Sequence, residues 1–186
     1  MSQQIVAPTI PAFLKANANQ PVVAVQGLGF VGSVMSLVVA NARTEDYSVI
    51  GVDLDTKSGR RIVDSLNGGS FPVAASDPKI LEYFEKARAK GNLLATIDPT
   101  AFSHADVIIV DINLDVQKSS DEQRALSSFE VDLEPFRAGI ATIGRHCKPD
   151  ALVLIETTVP PGTCQHVVAP TLREELAARG LPSDSI

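Results

Sequence analysis

Short apolar runs and longer amphipathic stretches alternate along this chain. Residues 22–25, 47–53, 93–97, 106–111 and 151–156 are short and rich in valine, isoleucine and leucine. They are apolar without strict alternation, the pattern of parallel strands covered on both faces. Between them lie helical patterns at 30–40, 56–66, 79–90, 133–146 and 164–179. Residues 30–40 are apolar on nearly every side, interrupted by Ser33 and Ser36, which predicts a helix buried against the sheet. Asn67-Gly68-Gly69 closes one helix, Asp77-Pro78 reads as the cap and first turn of the next, and Gly91 ends it. Residues 117–124 read as a polar loop, and 1–20 as a loose arm with one helical turn near 12–16. Strands alternating with helices predict an α/β fold: a Rossmann-type, doubly wound parallel sheet in three layers. The expected division is an arm at 1–20 and one domain at 21–186.

Within that pattern one junction carries chemistry. The first strand runs into Gly27-Leu28-Gly29-Phe30-Val31-Gly32, a helix follows, and the next strand ends in Asp53. Glycine at the first place permits a tight turn, at the second close approach of a pyrophosphate, and at the third close packing of helix on strand. The helix start offers free N–H groups and a positive dipole end to phosphate. Asp53, about 20 residues on, stands where a carboxylate accepts the hydroxyls of an adenosine ribose. No arginine follows Asp53 to hold a 2′-phosphate, so NAD is expected over NADP; FAD uses the same fingerprint and is the lesser alternative.

The chain has 186 residues, enough for one large domain. Its net charge of −6 and lack of a basic cluster argue against nucleic acid as a partner. No apolar run approaches a membrane span, and the first residues lack a basic n-region followed by an apolar stretch. Cys147 and Cys164, the only cysteines, lack metal or disulfide spacing, so a reducing, cytoplasmic location is expected. His104, His146 and His166 have no ligand spacing and read as surface or capping residues; no metal is expected.

Several stretches together resemble the NAD-binding domain of the UDP-glucose/GDP-mannose dehydrogenases. They are the glycine turn, Gly51-Val52-Asp53-Leu54-Asp55, Leu66-Asn67-Gly68-Gly69 with Pro72, Leu94-Ala95-Thr96, the run from Ala105 to Val110, and Glu156-Thr157-Thr158-Val159-Pro160-Pro161-Gly162-Thr163. The last is the most specific. That family oxidises the C6 alcohol of a UDP- or GDP-sugar to the carboxylate. The resemblance implies that Gly27, Leu28, Gly29, Phe30, Val31 and Gly32 cradle the pyrophosphate and that Asp53 holds the ribose. It also implies that Thr158 stands near the nicotinamide and positions the catalytic water; the plainer reading of Thr158 is a cap on the last helix.

The chain also departs from the pattern. Where the family has a Thr-Pro pair after the fourth strand, this chain has Asp111-Ile112-Asn113-Leu114-Asp115. Asn113 is the candidate polar contact there, and Asp111 and Asp115 add negative charge at the cofactor mouth. Ser58 stands where a basic residue is usual, with Lys57 beside it, and 74–78 replaces a Glu-Pro. Family members continue into a catalytic lysine, a linking helix used in dimerisation and a nucleophilic cysteine. Neither cysteine here takes that role: Cys164 is expected to be a small buried residue, and Cys147 to lie in a loop without a partner. Asp121, Glu122 and Arg124 read as a solvated loop. The expectation is therefore a cofactor domain that is inactive alone, its nucleotide-sugar substrate held by a missing C-terminal half, with a homodimer possible in the full-length protein. Two alternatives stand beside it: a free-standing NAD(H)-binding regulatory module, and the cofactor domain of another hydroxyacid-type dehydrogenase.

Overall fold

The computed structural model describes residues 7–74, 76–114, 116–120 and 126–186. Helices α1 (Ile10–Ala16), α2 (Phe30–Ala40), α3 (Lys57–Asn67), α4 (Pro78–Lys90), α5 (Glu134–His146) and α6 (Ala169–Ala178) surround strands β1 (Val22–Gln26), β2 (Ser48–Val52), β3 (Leu93–Thr96), β4 (Val107–Val110) and β7 (Leu152–Ile155). The five strands form one parallel sheet in the order β3-β2-β1-β4-β7. On one face α1, α5 and α6 cover a core containing Ile50, Phe102, Ile108, Phe136 and Ile140; on the other, α2, α3 and α4 cover one containing Val25, Leu37, Val49 and Phe84. This is the expected three-layer, doubly wound α/β fold. The chain steps from β1 to β2 and β3 on one side, then crosses to β4 and β7 on the other. The direction of winding thus reverses between β1 and β4, which opens a crevice at the carboxyl ends of the strands.

Local chemistry sets the element ends as the sequence suggests. Thr56 caps α3 by accepting from the Gly59 N–H, and Asp77 caps α4 by accepting from that of Lys79. Gly91 ends α4 at φ +69°, a left-handed backbone that only glycine adopts freely.

Five expectations need correction. From residue 7 the N-terminal arm is not loose: Thr9 caps α1, and Ile10 and Phe13 enter the core. Helix α2 is not buried all round. Its serines face inward, Ser33 Oγ donating to the Leu28 carbonyl and Ser36 Oγ to that of Gly32, both at 2.8 Å. Satisfied locally, these small side chains let the helix sit close to the sheet, while Phe30, Val31 and Val38 are left exposed. The polar loop after β4 is instead an antiparallel hairpin, β5 (Val116–Ser120) with β6 (Leu126–Val131), whose register pairs Val116 with Val131. Asp121, Glu122 and Arg124 lie outside the described residues, as does Asp115. Strand β7 is an edge strand, half-covered: Leu152 and Leu154 are exposed because no described helix covers the α2 face of the sheet there.

The cysteines are the fifth. Cys164 is exposed, at the start of a π-helical turn (Cys164–Val168) that leads into α6. Cys147 is the buried one, and it has company: the Arg179 guanidinium lies 3.8 Å from its Sγ. Burial pushes the Cys147 thiol pKa up, with Arg179 opposing it. His104 and His166 are exposed and His146 half-buried, and no group of metal-ligating side chains gathers among the described residues. No helix there is long and apolar enough to cross a membrane.

Candidate dinucleotide site

At the carboxyl ends of the strands lies a cavity of about 910 Å³, within the range of small-molecule and cofactor sites. Its wall contains the whole turn from Gly27 to Val31, then Asp53, Leu54 and Asp55 after β2, Asp111 to Leu114 after β4, and Glu156, Thr157 and Thr158 after β7. All the sequence-predicted site residues except Gly32 line it, and Gly32 is buried directly behind the turn.

The three glycines are required for different reasons. Gly27 has φ +92°, and a Cβ on it would lie 2.5 Å from the Asp111 carbonyl oxygen. A Cβ on Gly32 would lie 1.8 Å from the Gly27 carbonyl oxygen. These two fit only as glycine because the protein itself fills the space. Gly29 differs: φ −60° and ψ −166° suit any residue, and a Cβ there meets no protein atom within 4 Å. The bare backbone at Gly29 faces open cavity, which is the room an approaching phosphate needs. It also stands at the start of α2, where backbone N–H groups lack helical acceptors. The residues present therefore fit a dinucleotide.

Asp53 is held in place by the backbone. Its Oδ2 accepts from the Leu28 N–H at 3.1 Å and its Oδ1 from the Leu54 N–H at 2.7 Å, tying the end of β2 to the glycine turn. Gly59 makes room for it, since a Cβ there would lie 2.1 Å from the Leu54 carbonyl oxygen and 3.2 Å from Asp53 Oδ1. Asp55 is neutralised by Arg60, with Nη2 to Oδ2 at 2.7 Å. Arg60, beyond Lys57 and Ser58, is the basic residue that reaches this acid.

At the opposite end, Thr157 and Thr158 divide the work. Thr157 Oγ1 lies 3.2 Å from the Val110 carbonyl and 3.0 Å from that of Ile112, so it fastens the β7 turn to the β4 turn. Thr158 is exposed to the cavity. It does not cap the last helix. Thr163 stands at that place, and its hydroxyl turns back to the Pro160 carbonyl at 2.7 Å. Thr157 is a structural residue that sequence reasoning missed, although it stood beside the one selected. Asn113 lines the cavity and is exposed. Asp111 Oδ2 is buried without a hydrogen-bond partner, and burial followed by the nearby Glu156 charge pushes its carboxyl pKa up.

A reversal of winding at β1, a glycine turn opening a helix there and an acid at the end of β2 together define a dinucleotide-binding α/β domain. Residues 22–184 match the UDP-glucose/GDP-mannose dehydrogenase family, NAD binding domain, and the chain belongs to that family. It is 28% identical over 154 residues to the GDP-mannose 6-dehydrogenase of Pseudomonas syringae pv. tomato, covering 82% of this chain and 32% of that protein. It is 26% identical over 143 residues to the UDP-N-acetyl-D-mannosamine dehydrogenase of Pyrococcus horikoshii, covering 77% of this chain and 30% of that one. Among solved structures, the NDP-N-acetyl-D-galactosaminuronic acid dehydrogenase of Methanosarcina mazei Go1 superposes with a TM-score of 0.70 at 28% identity, covering 88% of this chain and 33% of that one. The chain thus spans about a third of the length of the relatives it matches. Its cofactor is NAD.

Proposed function

We propose that this domain serves an NAD-dependent oxidation of the C6 alcohol of a UDP- or GDP-sugar to the carboxylate, a reaction that supplies uronic acids for polysaccharide synthesis in the cytoplasm. The observation that carries the reading is the open space at Gly29 beside Asp53: backbone bare enough for a pyrophosphate, next to a fixed carboxylate. In this reading the N–H groups at the start of α2 hold the pyrophosphate, with Gly27 and Gly32 shaping the turn behind it and Leu28, Phe30 and Val31 walling it. Asp53 accepts from the adenosine ribose hydroxyls. Asn113 and Thr158 flank the nicotinamide half, and the Thr158 hydroxyl, which both donates and accepts, orients a water. Bound NAD supplies the hydride acceptor.

By itself the chain binds NAD without turning over a sugar. No cysteine or lysine lines the cavity among the described residues, so neither a thiol nor an amine stands there to form a covalent intermediate. The sugar is held by a further part of the protein, and that holding is worth about 7–11 kcal/mol of the barrier. The test combines calorimetric titration with NAD and NADH absorbance in the presence of UDP- and GDP-sugars. Micromolar-range NAD binding with no sugar-dependent reduction is the expected result. Sustained protein-dependent reduction would place the catalytic groups within this chain and overturn the division.

A further inference from the structure

The two ends of the cavity differ in how their charges are compensated. Its charged lining residues are Asp53, Asp55, Asp111 and Glu156, with no lysine, arginine or histidine among the described residues. At the β2 end both acids are satisfied, Asp53 by two backbone N–H groups and Asp55 by Arg60. At the β4–β7 end they are not. Val110 pairs with Ile155, so the residues that follow, Asp111 and Glu156, stand side by side. The alternation of the strands puts both on the α2 face: Ile109 packs there below Asp111, and Leu152 and Leu154 line the same face below Glu156. Asp111 Oδ2 is buried with no partner, and neither acid has a salt bridge among the described residues. Among the residues whose side chains are described, the elements around them offer no cation. Helix α2 has no titratable residue from Phe30 to Ala40, β1 ends in Gln26, and the β7 turn contributes Thr157 and Thr158.

Strand order says which half of a dinucleotide meets these acids. With the adenosine at Asp53 on β2 and the pyrophosphate at the turn after β1, the other half must run toward β4 and β7. We infer that the Asp111–Glu156 pair makes this site select the oxidation state of its cofactor, favouring the positively charged nicotinamide ring of NAD⁺ over the neutral ring of NADH. This rests on reading the cavity as the NAD site. The two forms differ by one positive charge on that ring, and two uncompensated carboxylates in a partly dry site respond to that charge directly. An opposite charge within about 4–6 Å is worth roughly tenfold or more in an equilibrium. The sign with pH follows. Protonated Asp111 loses its pull on the cation, so the preference for NAD⁺ strengthens as pH rises through the ionisation of Asp111. A cofactor domain built this way releases its reduced product readily.

The test is titration of the chain with NAD⁺, NADH and ADP-ribose, which lacks the nicotinamide, by calorimetry at pH 5 and pH 8. The variants are Asp111→Asn, Glu156→Gln and the double substitution, with folding checked by circular dichroism; exposed Glu156 can change without risk to the core. The expected wild-type result is NAD⁺ bound about tenfold tighter than NADH at pH 8, with a smaller ratio at pH 5. In the double variant the ratio approaches one while ADP-ribose affinity stays within about twofold. A structural defect would instead weaken all three ligands together, and that result overturns the inference. So does a wild-type ratio of one, or a ratio unchanged in the double variant. If the wild type binds none of the three, the reading of the cavity falls and the inference falls with it; binding of all three without preference overturns the inference alone.

Discussion

Gly27 and Gly32 are locked against each other: a methyl group on Gly32 would sit 1.8 Å from the Gly27 carbonyl oxygen. The turn is therefore a packing device, and of its three glycines only Gly29 faces no protein atom that a side chain would strike. Gly32→Ala is expected to destabilise the fold by about 1–3 kcal/mol, because backbone stands in the way and cannot yield cheaply. Gly29→Val should leave the thermal midpoint within a few degrees and abolish NAD binding. Paired thermal denaturation and calorimetry check both. A Gly29→Val chain that is folded and binds NAD normally means that the site lies elsewhere.

Asp53 is expected to set the choice between NAD and NADP. A hydrogen bond to a charged group is worth about 1.5–3 kcal/mol, so Asp53→Ala should weaken NAD roughly 10- to 150-fold. NADP, repelled by the carboxylate in the wild type, should lose far less or gain. Asp53→Asn keeps an acceptor toward the Leu28 N–H and separates the charge effect from loosening of the turn. Equal affinity of the wild type for the two cofactors contradicts this assignment.

The threonine pair is expected to separate in stability, one side chain tied to the scaffold and the other open to the cavity. Thr157→Val removes the tie to the Val110 and Ile112 carbonyls and should cost about 1 kcal/mol, near the mean for a hydrogen bond. Thr158→Val should stay within about 0.5 kcal/mol, as a surface substitution does. Urea denaturation measures the two. If Thr158 proves as costly as Thr157, its place in the cavity is structural.

Asp111 makes stability fall with rising pH in a defined window. Burial and then Glu156 raise its folded-state pKa above the unfolded value. The folded chain therefore holds a proton that the unfolded chain has released, and stability is lost as pH rises from about 4 through the folded pKa. Asp111→Asn is expected to raise the thermal midpoint above that window and to leave it unchanged below about pH 4. Melting curves across pH test the sign; a stabilising effect confined to acid contradicts it.

The parts of this molecule that were legible in its sequence are those where one residue type answers one local need. Glycine at 27 and 32, the caps Thr56 and Asp77, and the left-handed Gly91 each declare themselves, and continuous valine and isoleucine runs declare a parallel sheet. What stayed hidden depends on neighbours distant in sequence. Leu152-Val153-Leu154-Ile155 reads as a strand covered on both faces, because composition cannot report that one of those faces lacks a helix. Ser33 and Ser36 read as interruptions of an apolar helix, yet their hydroxyls bond to the nearby Leu28 and Gly32 carbonyls and let its closest face be polar in name only. The hairpin was hidden because Val116–Ser120 is polar at every position after Val116 and owes its strand form to pairing with β6. Arg60 was missed because its target, Asp55, is reached around the first turn of α3. In the cavity the residue types were legible, but the uneven compensation of their charges was not, since it depends on which backbone N–H groups and which arginine reach each acid.

The outer edge of β7 makes concentration a variable in every experiment on this chain. Its exposed leucines, Leu152 and Leu154, adjoin a row of backbone N–H and C=O groups with no neighbouring strand among the described residues. An unpaired edge with exposed apolar side chains can template strand pairing between molecules. Light scattering should therefore grow faster than protein concentration, and Leu152→Lys, at the end of β7 away from Glu156, should suppress that growth. Affinities are best measured dilute, where the edge is quiet and the site alone reports.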